Sequence, residues 1–180
     1  MADEKNKSYI LDSSVFLRGI DFNLFPGRIY TTPAILDEIK VKRYEQKNRT
    51  IMSRIDAALE SKQLTLLTPS EEYLAKIESA ARETGDLGAL SPADQGLVAL
   101  ALELNQERNE RAILYTNDYS MENLCSELGL PFSPLHRDGI KKKIKWEVYC
   151  PNCGTTHEPG DFGNTCERCG IRLKRRPRTK

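Results

Sequence analysis

Apolar residues fall in short blocks separated by polar stretches of helical length. Residues 8–12 (SYILD) and 112–116 (AILYT) are brief apolar runs of the kind that strands buried on both faces require, and residues 28–32 could form a further short strand. Residues 63–67 (QLTLL) alternate like a strand. Pro33 suits the first turn of a helix running to about Asn48. A second helix is expected over 50–61, with Ile51, Ile55, Ala58 and Leu59 on one face. Ser70 opens a third, ending near Glu83. Ser91-Pro92 places a capping serine before a first-turn proline and starts a long helix to about Asn109, apolar at Leu97, Val98, Ala101 and Leu104. Asn117-Asp118 closes the last strand, and a helix follows to about Leu128, with Gly129 as its stop. No internal repeat is visible. Strands alternating with helices predict an α/β fold of three layers around a central parallel sheet. In such sheets ligands bind at the carboxyl ends of the strands.

Two of these strands end in an aspartate, Asp12 and Asp118. Two further acids stand out by position: Glu38, in the helix after the second strand, and Asp94, in the first turn of the long helix. Asp94 shares a face with Leu97, Val98 and Ala101, so it is expected to point inward, which is costly for a carboxylate without a cation or donor. Each acid also has a plainer explanation. Asp12 could cap a following helix, Asp94 suits a helix N-terminus, Glu38 could be a surface acid, and Asn117-Asp118 could be turn chemistry. Taken together, they could converge on one sheet edge. Several carboxylates in one cleft raise each other's pKa unless a cation neutralises them, and hard oxygen ligands suit Mg²⁺ or Mn²⁺. The histidines, His136 and His157, lie far from these acids in sequence, which argues against metal-free acid–base chemistry by paired histidines.

The other end of the chain carries different chemistry. Cys150-x2-Cys153 and Cys166-x2-Cys169 give four thiolates at zinc-ribbon spacing, each pair followed by a glycine that permits a tight turn. One structural Zn²⁺ is expected; an iron centre or disulfides are the alternatives. Four sulfur ligands leave no open position, so no catalysis is assigned to this metal. Cys125 stands apart beside Leu124 and Leu128 and reads as a small core residue.

The formal net charge of +1 over 180 residues conceals an asymmetry. Residues 1–140 hold 16 Lys and Arg against 22 Asp and Glu, a balance of −6; residues 141–180 hold 11 against 4, a balance of +7. The chain therefore divides into a main domain over 1–138, a basic linker over 139–147, the cysteine module over 148–174 and a basic tail over 175–180. Such an asymmetry marks a polyanion-binding end or a solvated tail. Lys141, Lys142, Lys143 and Lys145 precede the module, and Arg168, Arg172, Lys174, Arg175, Arg176 and Arg178 lie in or after it. These are the candidate polyanion contacts. Trp146 and Tyr149 could stack on unpaired bases or pack at the domain junction. The polar start Met1–Lys7 and the lack of a long apolar stretch predict a soluble, intracellular protein.

The segments YILDSS (9–14), TPAILDEI (32–39), TGDLGALSPADQGLVALALEL (84–104) and LYTNDY (114–119) resemble the PIN-domain nucleases. With the ribbon in this order, the chain from about Tyr9 to Arg172 resembles the archaeal Nob-type endonucleases, ribosome-assembly factors that trim the 3′ end of small-subunit rRNA. The resemblance implies that Asp12, Glu38, Asp94 and Asp118 are metal-binding catalytic acids using Mn²⁺ or Mg²⁺. Ser13, Ser14 and Asn117 would be polar supports in the same pocket. It also implies a cytoplasmic enzyme whose partners are precursor rRNA and the pre-small subunit, with other assembly factors as further candidates. Two rival readings remain: a toxin-like PIN ribonuclease, against which the ribbon argues, and a non-catalytic RNA-binding assembly factor.

Overall fold

The computed structural model describes residues 7–19, 21–40, 45–108, 110–134 and 143–178. The apolar runs form strands β1 (Lys7–Leu11), β2 (Arg28–Thr31), β3 (Leu64–Leu66) and β4 (Arg111–Tyr115), joined by a two-residue β5 (Phe132–Ser133). All pair in parallel in the order β3-β2-β1-β4-β5. The central β1 buries Ile10 and Leu11 completely, as a strand covered on both faces must.

The helices are α1 (Ser13–Leu17), α2 (Pro33–Ile39), α3 (Glu45–Glu60), α4 (Glu71–Thr84), α5 (Pro92–Glu107) and α6 (Tyr119–Leu128). The helix expected from Pro33 to Asn48 ends instead at Ile39, with Lys40 as its C-cap. Ile35, Leu36 and Ile39 form its buried face, and Lys40, which follows, is exposed, so the apolar face stops at Ile39. A new apolar face begins in α3 and buries Ile55 and Ala58. Ser70 occupies the N-cap of α4 without a side-chain cap bond, and its N–H donates to Glu103 Oε2 at 2.9 Å. The long helix α5 carries the core, with Leu97, Val98, Ala99 and Ala101 fully enclosed. No helix of the described residues is long and apolar enough to cross a membrane.

The cysteine module is a second, antiparallel sheet, ordered β7-β6-β8, from β6 (Trp146–Tyr149), β7 (Thr156–His157) and β8 (Lys174–Pro177). Residues read from the sequence as linker end and basic tail are thus strand. Arg175 pairs with Val148 and Arg176 with Glu147 across β8 and β6. The buried core of this module is small: Val148, Cys150, Cys166 and Leu173.

The module seats on the loop TGDLGAL. A Cβ on Gly85 would run into the Trp146 carbonyl, and one on Gly88 would lie 2.8 Å from both the Phe162 side chain and the Pro159 carbonyl. Glycine is what lets the two backbones approach this closely. Asp86, between them, is fully buried and accepts from Arg175 at 3.0 Å.

Candidate active site and metal centres

Three of the four singled-out acids are fixed by local capping. Asp12 follows β1 and caps α1. Its Oδ1 accepts from the Ser13 N–H at 2.6 Å and the Ser13 hydroxyl at 3.2 Å, and its Oδ2 from the Ser14 hydroxyl at 2.8 Å and the Thr116 hydroxyl at 3.0 Å. Asp118 caps α6, accepting at Oδ1 from the N–H groups of Ser120 (2.6 Å) and Met121 (3.1 Å). Asp94 completes a capping box: its Oδ2 accepts from the Ser91 N–H at 2.9 Å, while Ser91 Oγ accepts from the Asp94 N–H at 3.1 Å. The capping explanation of these residues and the functional one are therefore compatible. A cap orients a carboxylate, and here each orientation is set at the carboxyl edge of the sheet.

Glu38, on α2, is exposed, and the Ser91 hydroxyl lies 3.5 Å from its Oε1. Burial pushes its carboxyl up from the usual range, and the charges of Asp94 and Asp12 push the same way. Burial likewise raises Asp94, with Asp12 and Asp118 adding to it. The four acids therefore share one field, although they enter from β1, α2, α5 and the turn after β4.

Mutual repulsion of this kind is relieved by a cation. Among the described residues, the carboxylates do not close into a tight ligand shell; the cysteine sulfurs do, all within 4.8 Å of one another. A group of hard oxygen donors at one edge of the sheet suits Mg²⁺ or Mn²⁺, which keep several waters and bind through few carboxylates together with substrate phosphates. The residues present thus fit a divalent ion.

The supporting residues are more numerous than the sequence suggested. Ser13 hydrogen-bonds Asp12 and also helps to hold Glu38 ionised, and Ser14 bonds Asp12. Asn117 lies in the strand-end turn between Thr116 and Asp118. Thr116 was missed. Its buried hydroxyl donates to Asp12 and accepts from the Asp118 N–H at 3.0 Å, tying two of the acids together. A threonine at the end of a β-strand carries no sequence signal for this; the neighbouring Asp118 was the only pointer.

In the ribbon, Cys150 and Cys169 sulfurs are 3.3 Å apart and those of Cys153 and Cys166 are 3.7 Å apart. Tetrahedral zinc with Zn–S near 2.3 Å needs sulfurs about 3.8 Å apart, so a zinc ion fits. The two CxxC turns are built alike: the N–H of Gly154 donates to the Cys150 carbonyl and that of Gly170 to the Cys166 carbonyl. Hydrogen bonding with Thr155 brings the Cys153 thiol down to about 6, toward the thiolate that a metal requires. Cys125 is fully buried, and burial pushes its thiol far up, as for an inert core residue.

The candidate RNA cations sort into groups. Lys141 and Lys142 lie outside the described residues. Lys145, Arg168 and Lys174 are exposed. Lys143 lies 3.7 Å from Glu127, and Arg172 donates to the Gly163 carbonyl at 3.2 Å. Arg176 pairs with Glu147 at 2.7 Å and covers the Tyr149 ring. Arg175 must be removed from this set. Its guanidinium is bonded to Asp86 and Ser120 and lies over the rings of Trp146 and Phe162. Trp146 accordingly packs at the junction. His157 has its Nε2 enclosed, so this atom does not face solvent.

Comparison with known proteins places this arrangement. Residues 9–104 match the family described as the PIN domain of ribonuclease. The Endoribonuclease Nob1 of Pyrococcus abyssi is 37% identical over 169 residues, covering 94% of this chain and 93% of that protein. Ribonuclease VapC1 of Thermoplasma acidophilum is 30% identical over 167 residues, 93% of this chain and 77% of its own. The 20S-pre-rRNA D-site endonuclease of Saccharomyces cerevisiae is 36% identical over 80 residues, 44% of this chain and 16% of its own.

Proposed function

The chain belongs to the PIN-domain endoribonucleases of the Nob1 type, and from this we infer that it is a divalent-metal-dependent endoribonuclease maturing the 3′ end of small-subunit rRNA. The observation that carries the reading is the convergence of Asp12, Glu38, Asp94 and Asp118 on one edge of the sheet, where Glu38 and Asp94 feel the other acids' charges. The name of the yeast relative supports the precursor-rRNA substrate. The partners are then precursor rRNA and the pre-small subunit, and the setting is cytoplasmic.

Bound Mn²⁺ or Mg²⁺ would polarise the scissile phosphate and lower the pKa of a water. The chain's own contribution is positional. Ser13, Ser14 and Thr116 orient Asp12, the capping box fixes Asp94, and the first turn of α6 fixes Asp118. Together they hold three of the four carboxylates at fixed points at the carboxyl edge of the sheet, with Glu38 beside Ser91. An acidic cleft repels RNA until its charge is neutralised, so affinity has to come from elsewhere. The exposed cations of the ribbon supply it, reading the phosphate backbone rather than sequence.

The reading is tested with a short RNA spanning the 3′ end of precursor small-subunit rRNA. One cut at the mature end is expected with Mn²⁺ or Mg²⁺ and none in EDTA. Tight binding without cleavage in either metal would favour the non-catalytic assembly factor, and indiscriminate cutting of unrelated RNA would favour the toxin-like enzyme. A separate expectation concerns affinity. Replacing Lys174, Arg176 and Arg178 together by alanine should flatten the dependence of log Kd on log salt by about 2, at roughly 0.7 per lost phosphate contact on a single strand. An unchanged slope would move the RNA path away from β8.

A further inference from the structure

The orientation of Asp118 follows the first turn of α6, because its Oδ1 is held by the Ser120 and Met121 N–H groups. That turn is gripped from the ribbon. Arg175 Nη2 donates to Ser120 Oγ at 3.2 Å, and Nη1 donates to Asp86 Oδ1 at 3.0 Å. The other Asp86 oxygen accepts from Asn123 Nδ2 at 2.6 Å, one turn further along α6. Asn123 in turn exchanges two 2.8 Å bonds with the backbone of Ile144, where the chain enters the ribbon. Arg175 itself is clamped over Trp146 and Phe162, with ring centroids 4.5 and 5.1 Å from Cζ.

We propose that Arg175 is a positioning residue for the carboxylate Asp118, acting through Ser120, so that the folded ribbon completes the nuclease site rather than only gripping RNA. The proposal rests on the endoribonuclease reading above. Arginine suits the task because its planar fork reaches a carboxylate and a hydroxyl at once and stacks on aromatic rings, which a lysine ammonium cannot do together. Delivery of the fork depends on the metal-binding core: β8 follows Leu173, which packs in one cluster with Cys150 and Cys166. Zinc binding thereby reaches Asp118 through one strand, one side chain and one helical turn. Had Arg175 served only as glue between the modules, its loss would lower stability and leave the metal affinity of the cleft alone.

The test compares full-length, zinc-loaded Arg175→Ala with Arg111→Ala, which removes the same charge from an exposed position at the start of β4, the sheet edge opposite the acids. Three readouts are taken: RNA affinity in EDTA, single-turnover cleavage at saturating RNA, and Mn²⁺ binding without RNA. Arg111→Ala is expected to match the wild type in all three, and Arg175→Ala to change RNA affinity in EDTA little. Only Arg175→Ala is expected to slow the single-turnover rate, by on the order of tenfold or more, and to weaken Mn²⁺ binding, with partial recovery in Arg175→Lys. Equal rates and equal Mn²⁺ affinities in the Arg175 and Arg111 variants would overturn the proposal. If Arg175→Ala does not fold, Ser120→Ala serves, since it keeps the Arg175–Asp86 pair and removes the link to the turn. A folded Ser120→Ala protein with unchanged Mn²⁺ affinity would equally overturn it. Wild-type cleavage is the control for the functional reading, and the Mn²⁺ comparison decides the coupling without it.

Discussion

Replacing Asp94 with asparagine should raise the melting temperature of the metal-free protein while removing its nuclease activity. The two effects have one cause. Burial, with the Asp12 and Asp118 charges, holds the Asp94 carboxyl above its ordinary range, and Glu38 is raised in the same way. A carboxyl whose folded pKa is raised binds more protons folded than unfolded, so stability falls as pH rises from the ordinary carboxylate value through the raised one. At pH 7 the metal-free protein therefore bears the whole cost of a crowded anionic cleft. Asparagine at 94 removes one of the charges and can still accept the Ser91 N–H that completes the capping box. A rise of a few degrees is expected in EDTA at pH 7, shrinking toward zero as the wild type is titrated down into the carboxylate range. In Mn²⁺ the order reverses, because ligand binding to the folded state stabilises the wild type and the variant lacks a donor. Activity should fall on the order of a thousandfold, several kcal/mol of transition-state stabilisation being what a metal-ligand carboxylate supports. Calorimetric melts with and without Mn²⁺, beside single-turnover cleavage, check both signs. A variant that melts lower in EDTA, or keeps a sizeable share of activity, would remove Asp94 from the metal site.

The acids were legible because position in an α/β fold is informative. A strand run ending in an aspartate, as at Asp12 and Asp118, or an acid on the inward face of a helix, as at Asp94, leaves a pattern in the sequence. The hydroxyls that organise them leave none. Thr116 bridges Asp12 and Asp118 only because β4 pairs beside β1, a long-range register that local periodicity does not encode. The same distinction runs through the fold. Apolar runs and strong caps located β1, β2, α5 and β4. The end of α2 at Ile39 depended on where its buried face stops, and β5 is too short to leave a signal. Arg175 was misplaced because counting charge says how much is present and not which way it faces. The signal for it was there: Arg175 is two residues after the buried Leu173, an even spacing that in an extended chain turns it to the same side, and it is the one partly buried position of β8. Its partner Asp86 was equally visible as an acid between two glycines in a loop, but a seat for another module is recognised only once that module is in place.

Zinc removal should have the largest effect on the ribbon and report itself through a single residue. The module's enclosed core is Val148, Cys150, Cys166 and Leu173, so half of it consists of cysteines of the thiol cluster. So little apolar area does not hold some 30 residues against their conformational entropy, and structural zinc contributes on the order of 10 kcal/mol or more in modules of this size. A chelator strong enough to compete, or Cys166→Ser, should therefore unfold residues 146–177 while the main sheet, with its own extensive core, persists. Trp146 is the only tryptophan in the chain and lies half-buried at the junction beneath Arg175. Its emission should shift to the red on chelation and return on adding zinc, and protease sites in 146–177 should open over the same range. The main domain does not escape unchanged. With Arg175 withdrawn, Asp86 is left as a buried carboxylate without its cation, and the N-terminal half of α6 loses its support from the ribbon. The main domain should then melt at a lower temperature than in the zinc-loaded protein, and Asp86→Asn should relieve part of that loss in the stripped protein. Unchanged tryptophan emission after complete chelation would mean that the ribbon holds together without its metal, and that the thiol cluster is not what keeps Arg175 in place.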